Sequence, residues 1–151
     1  QHPREIAEPR PAVGKRQRKQ REQSQEELAA AQAAAMLAET PEINARKLVV
    51  RTLSDRELNF MKLLAQKLTR LSTNAIALLA TTSPQPSLVF AQSAGLPFDV
   101  GALMKETMAK LGGRGGGSKD MAQGGVASGE GLESALKEVA QRLETELGKN
   151  R

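Results

Sequence analysis

The sequence predicts an α/β fold of the α+β kind, a mixed β-sheet flanked by helices and preceded by an N-terminal helical arm. Three observations lead there. Short runs rich in Val, Ile, Leu and Ala, at 47–53, 75–82 and 88–93, alternate with longer stretches whose apolar residues recur every three or four positions. The link Ser83-Pro84-Gln85-Pro86-Ser87 is too short to hold a crossover helix, so the two strands it joins should run antiparallel. The first 44 residues carry few large apolar side chains, which places them outside the core. The expected division is an arm over 1–44 and a globular domain over 45–151, long enough for one modest core.

Each element follows from its residues. Pro3, Pro9 and Pro11 argue against regular helix before Pro11, and from Val13 onward the composition suits one. Leu28 to Glu39 is Ala-rich, with high helix propensity but a thin apolar stripe, and Thr40-Pro41 ends it. Lys47 to Leu53 reads as a strand through Leu48, Val49, Val50 and Leu53. Ser54 and Glu57 have the spacing of a capping box, opening a helix with Leu58, Met61, Leu64, Ala65, Leu68 and Leu71 on one face and Asn74 near its end. Ala75 to Thr82 is apolar enough to be buried on both faces, and Leu88 to Ser93 is its partner. Asp99 is the expected N-cap of a helix carrying Val100, Leu103, Met104, Met108 and Leu111, and Gly112 stops it. Met121 to Gly125 has room for one short strand. After Ser128 a last helix presents Leu132, Leu136, Val139, Leu143 and Leu147, spaced as a core-facing stripe too short for a coiled coil.

Composition excludes several chemistries. With no cysteine there is no disulfide, thiolate nucleophile or cysteine zinc site. The single histidine, His2, rules out a histidine pair as base or metal ligands, and the carboxylates show no metal-binding spacing. Glu130, Glu133, Glu138, Glu144 and Glu146 fall on the wet side of the last helix and receive no catalytic role. The longest apolar run, Ala75 to Ala80, cannot cross a bilayer, and Gln1 to Arg10 has no signal-peptide pattern. A chain that opens at Gln1 reads as a piece of a longer protein. The net charge of +5 favours anionic partners, and three Phe with no Tyr or Trp argue against recognition by base stacking.

Two basic features remain. Lys15, Arg16, Arg18, Lys19 and Arg21 crowd seven positions of the arm, a solvated helix face in the plainer reading and a phosphate contact in the sharper one. The run Gly112-Gly113-Arg114-Gly115-Gly116-Gly117-Ser118-Lys119-Asp120-Met121-Ala122-Gln123-Gly124-Gly125 is half glycine. Such a run can turn successive amides inward as an anion-binding concavity, with Arg114 and Lys119 adding charge, or can simply permit tight packing. It is neither a Walker loop nor a dinucleotide-binding turn, since no G-K-[ST] ends it and a helix precedes it.

This glycine run, with Val89-Phe90-Ala91-Gln92-Ser93 and Asp99 to Leu111 before it, resembles the DHH-associated domain at the C-terminus of alanyl-tRNA synthetases, over roughly Ala45 to Leu147. Similar domains end some free-standing alanyl-tRNA editing proteins, and the arm is similar to the helical segment that joins the editing domain to this module. The resemblance implies a cytoplasmic tRNA-binding and oligomerisation module, non-catalytic by itself and without a cofactor. Its partners would be alanine tRNA and the other domains of the parent, with no membrane. The residues carried over as nucleic-acid or anion contacts are Gly112, Gly113, Arg114, Gly115, Gly116, Gly117, Lys119 and Gln123, joined by Lys15, Arg16, Arg18 and Lys19 of the arm. Related domains complete the active site of DHH-type phosphoesterases, where the glycine motif usually carries a histidine; none stands here, nor do the Asp-His-His motif or the zinc ligands of the editing domain. Two rival expectations stay open. One is the substrate-binding lobe of such a phosphoesterase. The other is a pure dimerisation module, in which the arm and the last helix pair two copies, the small side chains of Leu28 to Glu39 being the better candidate seam.

Overall fold

The computed structural model describes residues 9–149, with side chains described from Lys15; His2 and Pro3 lie outside it. The chain runs α1 (Pro9–Glu39), β1 (Glu42–Ile43), β2 (Arg46–Leu53), α2 (Leu58–Leu71), β3 (Ala75–Thr81), β4 (Ser87–Gln92), α3 (Val100–Leu111), β5 (Arg114–Gly117), β6 (Met121–Gly125) and α4 (Leu132–Lys149). The strands form one mixed sheet in the order β1-β2-β3-β4-β6-β5, with β2 and β3 parallel and every other pair antiparallel. No described helix is long and apolar enough to cross a membrane.

Strand alternation sorts the core into two layers. Leu48, Ile76, Leu78, Leu88 and Phe90 point to one face, where α3 and α4 cover them. Val49, Ala77, Leu79, Val89 and Ala91 point to the other, under α1 and α2. Every residue of β3 is buried, as its unbroken apolar run requires of a central strand. Leu132, Leu136, Val139, Leu143 and Leu147 of α4 all face inward.

The helix signals held at some ends and gave way at others. Asp99 caps α3 by accepting from the Ala102 amide at 3.1 Å, and Gly112 closes it in the left-handed region at φ 72°. Helix α1 begins earlier than expected, at Pro9. Prolines in a first turn forfeit only amides that have no helical partner there, so Pro9 and Pro11 start the helix instead of blocking it. The capping box does not form: Glu57 is itself the N-cap of α2 and its side chain caps nothing. The polar link is committed elsewhere. Asp55 sits at φ 58°, its amide donates to the Ser83 hydroxyl (2.9 Å), and that hydroxyl donates to the Asp55 carboxylate (3.0 Å). The Arg56 amide donates to the Ser83 carbonyl at 3.1 Å.

The arm does not lie wholly outside the core. Ala29, Ala33, Met36 and Leu37 are buried against α2 and the sheet, and Lys67 meets Glu26 at 2.9 Å. Methyl-sized side chains let the two helix backbones approach closely, so the alanines proposed as a seam between chains are partly spent inside one. Strand β1, unforeseen, closes on β2 through Asn44 and Ala45, both at positive φ, in the manner of a two-residue hairpin.

Candidate nucleic-acid interface

The glycine segment is a β-hairpin rather than a loop. Met121–Gly125 forms the expected strand, and Arg114–Gly117 forms a second one outside it, at the edge of the sheet. Successive amides of an extended strand point in opposite directions, so the inward-facing nest expected of this run is not built along 114–117. Most of the glycines answer to packing. A Cβ at Gly113 would fall 2.5 Å from the Gly125 carbonyl oxygen, and one at Gly115 would fall 2.6 Å from that of Gln123. A Cβ at Gly124 would fall 2.7 Å from Met108 Sδ of α3. Gly116 is different: its nearest neighbour would be Lys105 Cε at 3.7 Å.

On the α2 side of this hairpin lies a shallow groove of about 280 Å³, lined by Arg114, Gly116, Gln123 and Gly125 together with Leu58 of α2. Arg114 and Gln123 are thus brought to one surface. Lys119 is not. It sits in the turn at the far end of the hairpin, roughly 13 Å of strand away. Its ammonium donates to the Leu96 carbonyl at 2.6 Å and lies 3.8 Å from the Asp120 carboxylate. Its carbonyl accepts from the Val100 amide (2.9 Å) and from the Gln92 side chain (3.2 Å). Lys119 therefore ties the 93–99 segment to the hairpin turn.

The register fixes which end of the sheet Arg114 occupies. It pairs with Gly125, Gly125 with Ser87, Ser87 with Thr81, and Thr81 with Leu53. Arg114 therefore shares an edge with the C-terminal ends of the two parallel strands, where ligands of open α/β sheets tend to bind. At the same end, a larger groove of about 890 Å³ opens between α1 and the start of α2. Arg18 and Arg21 line it from α1, and Arg56 from the turn before α2. Lys15, Arg16 and Lys19 continue from it along α1, all exposed.

The larger groove itself is lined by three arginines, Arg18, Arg21 and Arg56, and four carboxylates, Glu22, Glu26, Asp55 and Glu57, while Lys15, Arg16 and Lys19 of α1 and Arg114 of the hairpin lie outside its lining. Only with those outlying cations counted does this end carry an excess of positive charge. Among the described residues no group of three His, Asp or Glu is placed to hold a metal ion. Arg56 was missed by sequence reasoning because it stands in a polar link read as a cap. Its one signal was Phe60 four residues on, at the spacing that stacks two side chains on a helix turn.

A mixed sheet with an edge hairpin packed through its glycines, flanked by helices on both faces, defines a small α/β module. The chain belongs to the DHHA1 domain family, whose model matches residues 25–145 and so begins inside the arm. It is 33% identical over 123 residues to an alanine–tRNA ligase of Dechloromonas aromatica (strain RCB), covering 80% of this chain and 14% of that protein's length. Its fold matches the C-Ala domain of Aquifex aeolicus alanyl-tRNA synthetase, with TM-score 0.60 at 20% identity over 73% of this chain and 98% of that one. It also matches RecJ of Thermus thermophilus, crystallised with Mg2+, with TM-score 0.58 at 20% identity over 92% of this chain and 20% of that one.

Proposed function

We propose that the chain is a tRNA-binding module, non-catalytic by itself, that serves an alanyl-tRNA synthetase or an alanyl-tRNA editing protein and takes alanine tRNA as its partner. The observation that carries the reading is the convergence of Arg114 and the basic half of α1 on one end of the sheet, in a chain 33% identical to an alanine–tRNA ligase. Phosphate contacts of this kind set orientation and carry no base information of their own. With no Tyr or Trp to stack on bases, the module would recognise the shape of folded RNA and hold it while other domains do chemistry.

The test is a titration of the 151-residue chain against alanine tRNA, a non-cognate tRNA and duplex DNA at two salt concentrations. Salt-sensitive binding that prefers folded tRNA is the expected result. Absence of binding at low salt would remove the reading and transfer the weight to assembly, which light scattering at high concentration would then examine.

A further inference from the structure

Arg56 differs from the other cations of this end in being held by an aromatic stack. Its guanidinium lies over the Phe60 ring, 4.8 Å from the centroid, and Phe60 is itself buried. Among the described residues it makes no side-chain hydrogen bond and no ion pair. Other basic residues of the domain are engaged: Arg51 with the Val50 carbonyl and Glu39, Lys67 with Glu26, Lys110 with Glu138, Arg142 with Glu106. The Arg56 backbone is meanwhile fixed on both sides. Its amide donates to Ser83, and its carbonyl accepts from the Thr81 hydroxyl at 3.0 Å. A stacked guanidinium on an anchored backbone keeps its donor edge oriented and unspent, which suits bidentate contact with phosphate.

We infer that Arg56, with Arg18 and Arg21 across the groove between α1 and α2, forms a second phosphate-binding site that takes the sugar–phosphate backbone of the RNA contacted at Arg114. This inference rests on the tRNA-binding reading. Leu58, two residues beyond Arg56, lines the Arg114 groove, so the two sites flank the first turn of α2. The groove is of the size that admits ligand groups of several atoms. Of its carboxylates, Glu26 is neutralised by Lys67 and Asp55 accepts from Ser83. Glu22 and Glu57 line the same groove, so a phosphate would sit against the guanidiniums of Arg18, Arg21 and Arg56 and away from these carboxylates. A free anion needs only one such site. Two sites in line on one end of a sheet fit a polyanion.

The experiment measures tRNA affinity of the 151-residue chain across a salt series for the wild type, Arg56→Ala, Arg56→Lys, the double variant Arg18→Ala/Arg21→Ala, and Arg114→Ala, with a melting curve for each. Removing Arg56 should lower affinity several-fold at low salt and flatten the log–log salt slope by about 0.9, the value of one phosphate contact on a duplex. The Arg18/Arg21 double should flatten it by roughly twice that. Arg56→Lys should fall between, since an ammonium keeps the charge but loses the fork. A wild-type slope in either Arg56→Ala or the Arg18/Arg21 double, while Arg114→Ala weakens binding, overturns the second site and leaves the tRNA reading standing. No binding by the wild type overturns both. Should Arg56→Ala unfold, the double variant decides, because both its side chains are exposed on a helix surface.

Discussion

Gly115 and Gly116 are neighbours in one strand, and the structure assigns them opposite behaviour on substitution by alanine. A Cβ on Gly115 would lie 2.6 Å from both the Gln123 carbonyl oxygen and Gly124 Cα, roughly 0.8 Å inside ordinary van der Waals contact. Both atoms are backbone of the paired strand β6, so no side chain can rotate away, and Met108 Cγ at 3.0 Å blocks retreat toward α3. The strand must shift off its ladder. Overpacking of this kind costs about 1–3 kcal/mol, which for a domain of this size lowers the melting temperature by roughly 3–10 °C. Gly116 has no neighbour nearer than 3.7 Å, so alanine there should be neutral or stabilise by up to about 1 kcal/mol through the unfolded chain. Thermal and urea denaturation followed by circular dichroism would read both. If Gly115→Ala melts with the wild type, the packing account of the hairpin glycines is wrong. A tRNA titration of the well-folded Gly116→Ala adds a second reading: loss of affinity there would show that ligand backbone, rather than α3, requires that bare position.

Lys119→Met should lower stability by about 1 kcal/mol or less, because it loses a contact to the Leu96 carbonyl that is half-exposed, and should leave tRNA affinity unchanged. A Lys119 variant that keeps its melting temperature and loses tRNA would reverse that assignment. Replacing Lys15, Arg16 and Lys19 by Gln should leave the melting temperature within about 2 °C, since all three are exposed. The same variant should flatten the salt slope of binding, and an unchanged slope would exclude those residues from the interface. The Glu138 carboxyl is held below its usual value by the Lys110 ammonium, which donates to it at 2.6 Å and adds its charge. A depressed pKa stabilises the fold above the unfolded carboxylate range and loses that effect as pH falls through the lowered value. Glu138→Gln should therefore show a slightly shallower acid limb in melting temperature against pH, and an identical limb would remove this pair from acid stability.

The parts of the fold legible in the sequence are those written in side chains. Ala75 to Thr81 announces a central strand because nearly every residue is apolar, and Asp99 and Gly112 mark the ends of α3 because each supplies what a helix end lacks. Where side chains are small or absent, the signal vanishes. Glycine cannot alternate apolar with polar, so β5 left no period of two, although α3 packs through Met108 on the bare backbone of Gly115 and Gly124. Ala29 and Ala33 are too small to raise an apolar stripe, yet they carry the contact between α1 and α2. β1 is two residues long and half polar. At the candidate interface, the residue types at Arg114, Gln123 and the arm were readable. That Arg114 and Lys119 stand at opposite ends of a strand, and that Arg56 joins the former, depends on pairing across the sheet.

Helix α1 has a mechanical consequence. It is 31 residues long, about 46 Å, and from Lys15 to Leu28 it buries no side chain. It is a rod clamped over its last third, with Ala29 and Ala33 as the fulcrum. Tilting the rod by about 10° at that contact would swing its tip, about 30 Å away, through roughly 5 Å. The alanines thereby calibrate an angle. A bulkier residue at 33 would re-aim the whole row of charges while leaving each of them intact.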